Sequence, residues 1–168
     1  MGTLKRSFDW PAAALVTAAT LGALVIGGQL SPGSADPWYQ NLRRAPLTPP
    51  GMAFAFIWPV LFALMLAGAL MVLREAGSFK RASAALGLYF TMLAANVCWS
   101  LFFFGFRDPA VALGVLAALW LLIATMMLRF ALHSPRAAML QLPYLGWVTF
   151  AGYLNIWICL FNPQAGGG

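Results

Sequence analysis

The chain has 168 residues, of which 62% are hydrophobic and only 8% are charged. A soluble domain carries about a quarter of its residues as charged side chains, and so short a chain has too small an interior to bury this much apolar surface. The composition therefore excludes an ordinary soluble domain and predicts that lipid surrounds most of the chain. The formal net charge of +6 does not indicate nucleic-acid binding, because the basic residues lie in pairs at the ends of apolar runs, where membrane anchors lie.

Charged residues divide the chain into five apolar windows. The windows, free of Asp, Glu, Lys and Arg, run from Asp9 to Asp36, Arg44 to Arg74, Arg81 to Arg107, Asp108 to Arg129, and onward from Arg136. Each can hold the roughly 20 apolar residues that cross a bilayer core. Lipid-exposed backbone must satisfy its own hydrogen bonds, so each window predicts a helix. The predicted fold is an all-α membrane protein with one domain over residues 1–168 and helices at about 11–30, 51–73, 82–104, 110–132 and 137–161.

The first predicted helix begins at Pro11, a residue that suits a first helical turn. Lys5 and Arg6 precede it as in a signal peptide, but its long apolar part and the lack of a small-residue cleavage pattern favour a retained helix. Small residues recur along it at four-residue spacings, which let helices approach closely in lipid. We expect them to serve packing within one subunit or the seam of a homodimer. These residues are Ala18, Gly22, Ala23 and Gly27.

The proline-rich loop follows this helix and is the longest polar interruption in the chain. It carries Trp38 and Tyr39, the arginines Arg43 and Arg44, and three prolines before the next apolar run begins. The prolines are Pro46, Pro49 and Pro50. Proline fixes φ and removes an N–H donor, so the loop is predicted to be shaped and semi-rigid. Two interpretations stay open: a lid over a pocket among the helices, or an ordered turn between two membrane helices.

Aromatic and amide residues share faces on the later helices. The second helix places four of them at three- and four-residue steps, namely Phe54, Trp58, Phe62 and Met65. The fifth helix has a comparable face, made of Tyr144, Trp147, Ala151, Leu154 and Asn155. Such faces serve packing as readily as ligand binding. Asn96, inside the third helix, needs a partner for its amide, either on another helix or in a bound molecule.

The basic residues predict an orientation. Seven lie at the N-terminus and in the second and fourth loops: Lys5, Arg6, Arg74, Lys80, Arg81, Arg129 and Arg136. The other side has Arg43, Arg44 and Arg107. By the positive-inside rule the N-terminus is cytoplasmic, and the proline-rich loop faces outward.

Groups for ordinary catalysis are sparse. The acids lie at helix ends or in loops: Asp9, Asp36, Glu75 and Asp108. A carboxylate in mid-membrane is lacking, which argues against a proton-coupled exporter of the small multidrug type. The sequence shows no nucleophile–base pair and no phosphate-binding glycine loop. His133 lies in a loop, and Cys98 and Cys159 lie in apolar runs without a CxxC spacing, so neither a metal site nor a required cofactor is predicted.

The sequence is rich in tryptophan, with seven of these residues. Some suit an interfacial belt. Three lie farther inside their runs: Trp58, Trp99 and Trp147. A flat aromatic wall suits a flat, largely apolar ligand such as a porphyrin or a sterol. Arg43 and Arg44 at the rim could pair with carboxylates of that ligand.

Four segments together resemble the translocator protein family, also called the tryptophan-rich sensory protein or peripheral-type benzodiazepine receptor family. They are WYxxLxxxPxxPPGM, IWPVLF, AANxxW followed by FFFG, and LPYLGWxxFAxYLN. The resemblance covers residues from about 38 to 155, in order and with matching spacings. It implies a five-helix bundle, commonly a homodimer, with a pocket closed by the loop after the first helix. A bacterial member, in a cell-envelope membrane, is expected.

The resemblance also implies ligands and site residues. Family ligands include protoporphyrin and other tetrapyrroles, cholesterol, and synthetic isoquinoline carboxamides and benzodiazepines. The implied ligand-binding positions, to which the aromatic face adds Trp99, are Tyr39, Pro46, Trp58, Asn96, Trp147, Ala151 and Leu154. Some bacterial members degrade protoporphyrin in light, and the tryptophans implied in that reaction match Trp58 and Trp147. Leu47 and Met52 stand where many members have tryptophan, and nothing basic follows Tyr153, so a sterol motif is incomplete.

Three functions stay open on these grounds, with a purely structural module as the alternative to them. The first is a membrane protein that binds tetrapyrroles, or other flat hydrophobic molecules, as a sensor, scavenger or regulator. The second is an enzyme that degrades porphyrin with light and oxygen. The third is a transporter of tetrapyrrole or lipid.

Overall fold

The structure is a computed structural model that describes residues 8–165. Within this range five helical segments are long and apolar enough to cross a membrane: Trp10–Ala35, Gly51–Ala76, Phe79–Gly105, Pro109–Ala131 and Pro135–Phe161. The all-α, five-span fold is thus confirmed, and the protein is an integral membrane protein. Lys5 and Arg6, which enter the predicted orientation, lie outside the described residues.

The helices are α1 (Trp10–Leu30), α2 (Pro37–Gln40), α3 (Gly51–Ala76), α4 (Phe79–Ser100), α5 (Pro109–Ala131), α6 (Pro135–Met139) and α7 (Leu142–Phe161). A 3₁₀ turn over Gly33–Ala35 precedes α2, and α4 continues as a π-helix over Leu101–Gly105. The proline-rich loop, residues 31–50, therefore contains two short helical elements. Asp36 caps α2 by accepting a hydrogen bond from the Trp38 N–H at 2.8 Å.

Caps explain where several spans begin. Asp9 accepts a hydrogen bond from the Ala12 N–H at 3.2 Å and another from the Phe79 N–H at 2.9 Å, so one carboxylate holds the starts of α1 and α4 together. Ser78 caps α4, which consequently begins at Phe79 and not at the predicted residue 82. Gly77, with φ of 76°, ends α3 in the left-handed conformation that glycine adopts without strain.

The predicted fifth span is present as Pro135–Phe161, but it is not one continuous helix, because α6 and α7 are separate there. The break lies at Leu140 and Gln141, between Met139 and the start of α7. Pro143 accounts for it: proline has no N–H to donate four residues back, and its ring clashes with the carbonyl of that residue. The break leaves Gln141 fully buried, with its Nε2 donating to the Ala137 carbonyl at 3.3 Å.

Most of the packed core occupies one half of the bundle, and a smaller cluster of Phe103, Ala112 and Ile158 packs against the proline-rich loop. Eight residues of α3 are buried, and all of them lie between 61 and 76, whereas residues 51–60 of the same described helix include none. Phe62 and Met65 of the predicted aromatic face belong to this core, beside Tyr89 and Tyr144. The other half of α3, nearer the proline-rich loop, has no such packing. This arrangement leaves space among the helices beneath the loop.

Candidate functional site

A cavity of about 980 Å³ occupies this space, at the upper end of the range of roughly 300–1,000 Å³ for small-molecule pockets. Its wall is formed by the end of α1, the proline-rich loop, the first half of α3, the end of α4 with the π-helix, and α7. The loop lies over the cavity, which favours the first of the two interpretations of this loop, a lid.

Two indoles meet at one corner of the cavity. Trp58 of α3 and Trp147 of α7 lie edge to face, with ring centroids 6.3 Å apart and planes at 83°. Phe54 meets Trp147 in a similar way at 5.5 Å and 74°. Edge-to-face contacts are a favoured geometry for aromatic pairs. They join α3 to α7 where aliphatic packing is sparse, and all three rings line the cavity.

A second aromatic wall comes from α4. Trp99 stacks on Phe103, with centroids 5.2 Å apart and planes at 25°. The Trp99 indole N–H donates to the Asn155 side-chain carbonyl at 3.2 Å. The π-helix places both Phe103 and Phe104 along the cavity. A π-helix inserts one residue into the helical repeat, which shifts the facing of the residues that follow.

Two polar side chains of α4 line the cavity between these walls. Asn96 and Ser100 are 5% and 4% exposed and lie one turn apart. The Asn96 amide donates to the Tyr144 hydroxyl of α7 at 2.8 Å, so the partner required by this amide is supplied by another helix. Gly27 of α1 faces both: a β-carbon there would lie 3.8 Å from Asn96 Oδ1 and 3.9 Å from Ser100 Oγ. Both distances are ordinary van der Waals contacts, so α1 approaches the two polar groups closely here.

The proline-rich loop contributes Tyr39, whose ring contacts Phe103 at 6.2 Å and Phe104 at 5.7 Å between centroids. The Arg44 guanidinium lies 5.9 Å from the centre of the Tyr39 ring, within the range of a cation–π contact. Burial raises the pKa of Tyr39, and the positive charge of Arg44 partly opposes this by favouring the phenolate. Tyr39 is therefore a neutral hydrogen-bonding group at neutral pH.

The two rim arginines are not equivalent. Arg44 lines the cavity, whereas Arg43 does not. The backbone of Arg43 pairs with the Asn162 side chain, which accepts from the Arg43 N–H at 2.8 Å and donates to its carbonyl at 3.2 Å. Asn162 follows α7, so this pair fastens the loop to the end of that helix. Among the described residues, Arg44 is thus the arginine that lines the cavity.

Seven of the eight predicted ligand-binding residues line the cavity together: Tyr39, Trp58, Asn96, Trp99, Trp147, Ala151 and Leu154. Pro46 does not, although Ala45 and Thr48 on either side of it do. Sequence reasoning left Phe103, Phe104 and Asn155 out of the site, although Asn155 shares a helical face with Trp147. Contact of any of these residues with a ligand stays a prediction.

The side chains that could bind a metal ion are dispersed over the described part of the chain. Among residues 8–165, three or more His, Cys, Asp or Glu side chains do not come together at any point. Cys98 and Cys159 are free thiols there. The described residues that line the cavity offer apolar contact, aromatic stacking, several hydroxyl and amide groups, and the guanidinium of Arg44.

Comparison with known proteins identifies the family to which this chain belongs. A match to the TspO/MBR family covers residues 13–160. The chain belongs to this family. It is 34% identical over 137 residues to Tryptophan-rich protein TspO of Chlorobaculum tepidum, covering 82% of this chain and 87% of that one. It is 38% identical over 146 residues to the Translocator protein of Bos taurus, covering 86% of each.

A third relative is the Tryptophan-rich sensory protein of Cereibacter sphaeroides, 35% identical over 149 residues, covering 89% of this chain and 90% of that one. The resemblance drawn from four sequence segments is thus confirmed over most of the chain. These relatives include bacterial and mammalian proteins at similar identity.

Proposed function

We propose that the protein binds tetrapyrroles of the protoporphyrin type, or other flat hydrophobic molecules, in this cavity as a sensor, scavenger or regulator. One observation carries the proposal: the cavity has aromatic walls on two sides and a single guanidinium, that of Arg44, at its rim. A flat macrocycle with an acidic edge matches this arrangement, because its face can stack on rings while a carboxylate meets the cation.

The indole corner supports the assignment of the macrocycle face. Trp58 and Trp147 present an edge and a face at nearly right angles, so a flat ligand can stack on one ring while its edge meets the other. The family contains a relative named a sensory protein, and sensing by binding needs a pocket but no catalytic group. Asn96 and Ser100 add polar contacts that can orient the ligand.

The test is a titration of the detergent-purified protein with protoporphyrin in the dark, followed by tryptophan fluorescence. Wild type should show saturable quenching, and Trp147→Phe should weaken binding because the larger stacking surface is lost. Trp120→Phe is the matched control, since Trp120 lies on α5, outside the cavity lining, with its N–H bonded to Thr149 at 2.9 Å. Linear quenching that neither variant alters would mean partitioning into the micelle and would refute the site.

A light-driven reaction is a second candidate, and the contact of Trp58 with Trp147 favours it. An excited tetrapyrrole can take one electron from a stacked indole, leaving an indole radical cation and a reduced tetrapyrrole. Oxygen can then accept that electron to give superoxide, and the indole radical cation can take one electron back from the macrocycle. Superoxide then adds to the macrocycle radical cation, so that the net reaction combines one macrocycle with one O2. The candidate predicts loss of porphyrin absorbance that requires light, oxygen and folded protein. Equal bleaching by heat-denatured protein would refute it.

We also propose that the cavity end of the bundle faces out of the cytoplasm, in a bacterial cell envelope. Among the described residues, five basic ones lie at the helix ends that flank the α3–α4 and α5–α6 turns: Arg74, Lys80, Arg81, Arg129 and Arg136. Arg43, Arg44 and Arg107 lie at the opposite end. The excess favours a cytoplasmic position for the former. Labelling of a single cysteine introduced at Leu47, which is 68% exposed, by an impermeant reagent on whole cells tests this orientation.

A further inference from the structure

Asn155 of α7 is 1% exposed and makes hydrogen bonds with two other helices. Its Oδ1 accepts from the Trp99 indole at 3.2 Å, and its Nδ2 donates to the Pro109 carbonyl at 2.8 Å. Donor and acceptor are assigned by their partners, because an indole N–H can only donate and a backbone carbonyl can only accept. Both ends of the amide are thus committed, and the plane of the Trp99 ring is fixed from one edge.

The position of Trp99 matters to the proline-rich loop. Trp99 stacks on Phe103 at 5.2 Å, and Phe103 in turn contacts Trp38 at 5.7 Å and Tyr39 at 6.2 Å. Trp38 and Tyr39 belong to α2, the short helix of the loop. A continuous set of contacts therefore runs from Asn155, through Trp99 and Phe103, to the underside of the loop. The first contact, between Asn155 and Trp99, is a hydrogen bond, and the others are contacts between aromatic rings.

We propose that Asn155 is a positioning residue for the lid: it holds the Trp99 ring in the plane that lets Phe103 seat α2 over the cavity. If the indole N–H lost its partner, Trp99 could turn, the stacked Phe103 would lose its support, and α2 would open more often. That opening should shorten the residence time of a bound molecule. The statement about residence time rests on the proposed function, whereas the effect on the loop does not.

A general structural role for Asn155 is separable from this positioning role. The bond to Pro109 ties α7 to the start of α5 and does not involve Trp99. Trp99→Phe removes the indole N–H donor together with part of the ring, keeps an aromatic ring next to Phe103, and does not touch the partners of the Pro109 bond. Asn155→Leu removes both bonds, together with the longer contact of Nδ2 with Cys159 Sγ at 3.6 Å within α7. If Asn155 acts on the loop through Trp99, the effect of Asn155→Leu on the loop must disappear in a Trp99→Phe background.

The first readout is amide hydrogen exchange of residues 37–43 in detergent, without any ligand. Amides in this segment donate within the loop, as Gln40 N–H does to the Asp36 carbonyl at 3.0 Å, or to the end of α7, as Arg43 N–H does to Asn162 Oδ1 at 2.8 Å. A helix as short as α2 is not stable without tertiary packing, so we expect these bonds to open when α2 leaves the cavity. One neutral hydrogen bond corresponds to a factor of about five in an equilibrium constant, so each single variant should raise exchange about fivefold. The double variant should exchange no faster than either single variant.

Thr149→Val is the matched control, because it also removes a hydrogen bond between α7 and an indole. That bond, from Trp120 Nε1 at 2.9 Å, joins α5 to α7 away from the cavity. We expect wild-type exchange in this variant. The inference is overturned if Thr149→Val raises exchange equally, if the Asn155 and Trp99 effects add, or if Trp99→Phe leaves the loop unchanged. Trp99→Phe also keeps the test valid if Asn155→Leu fails to fold.

The second readout is dissociation of protoporphyrin in the dark, measured by stopped-flow recovery of tryptophan fluorescence. Asn155→Leu should release it about fivefold faster than wild type, and the same change in a Trp99→Phe background should add nothing. Faster exchange of the loop with unchanged release would overturn the residence-time statement. A complete lack of protoporphyrin binding by wild type would refute the proposed function, while the exchange data would still decide whether Asn155 positions the lid.

Discussion

Arg43 and Arg44 are adjacent in sequence, and replacing each by glutamine tests the geometry of the rim. Arg44 lines the cavity and lies 5.9 Å from the Tyr39 ring centre, whereas Arg43 is held by its backbone to Asn162 outside the lining. We therefore predict that Arg44→Gln weakens protoporphyrin binding and that Arg43→Gln does not. The two variants lose the same formal charge, so a general electrostatic attraction would affect both.

The expected loss of affinity follows from the position of Arg44, which is exposed at the rim of the cavity. An exposed ion pair contributes at most about 1 kcal/mol, so the dissociation constant should rise up to about fivefold. The assay is a dark fluorescence titration with protoporphyrin and with its dimethyl ester, which lacks the charge. The ester should bind both variants like wild type, and added salt should reduce the Arg44 effect. An equal loss in Arg43→Gln, or a loss of ester affinity in Arg44→Gln, would refute the reasoning.

Two further predictions concern packing and titration. In Gly68→Ala the new methyl group would collide with the Gln141 amide and lie 2.9 Å from the Ala137 carbonyl, so we expect a loss of about 1–3 kcal/mol in stability, seen as a lower melting temperature in detergent. Gly87→Ala, where a β-carbon meets nothing within 4 Å, should melt no lower than wild type, and an equal drop in both would contradict this account. Arg44→Gln should also raise the pKa of Tyr39 further, because the charge that favours its phenolate is removed. An ultraviolet absorbance titration, corrected with Tyr39→Phe, measures that shift, and a fall in pKa would contradict it.

The membrane spans were predictable because a charged side chain is energetically unfavourable in the hydrocarbon core, and the windows without charged residues are long enough to cross it. The break before α7 was not, since Pro143 suits the first turn of a helix as well as its interruption. The π-helix at Leu101–Gly105 was also missed. One inserted residue leaves no periodic signature in so apolar a stretch, yet it sets the positions of Phe103 and Phe104 under the loop.

The site was predictable where a helical face determined it. Trp147, Ala151 and Leu154 recur at helical spacing, so any pocket touching one of them would touch the others. No such spacing predicts which residues of the proline-rich loop line the cavity. Arg43, which does not line the cavity, is held through its backbone by Asn162, which lies 119 residues further along the chain, and this pairing has no local signal in the sequence. Pro46 falls outside the lining for a related reason, because the loop's path depends on its tertiary contacts.

A crystal or cryo-electron microscopy structure with protoporphyrin, prepared in the dark, tests the central claim most directly. The account predicts one macrocycle beneath the proline-rich loop, with its face on Trp147 or Trp58 and a propionate near Arg44. Density for the macrocycle on the lipid-facing surface, with the cavity unchanged, would contradict it.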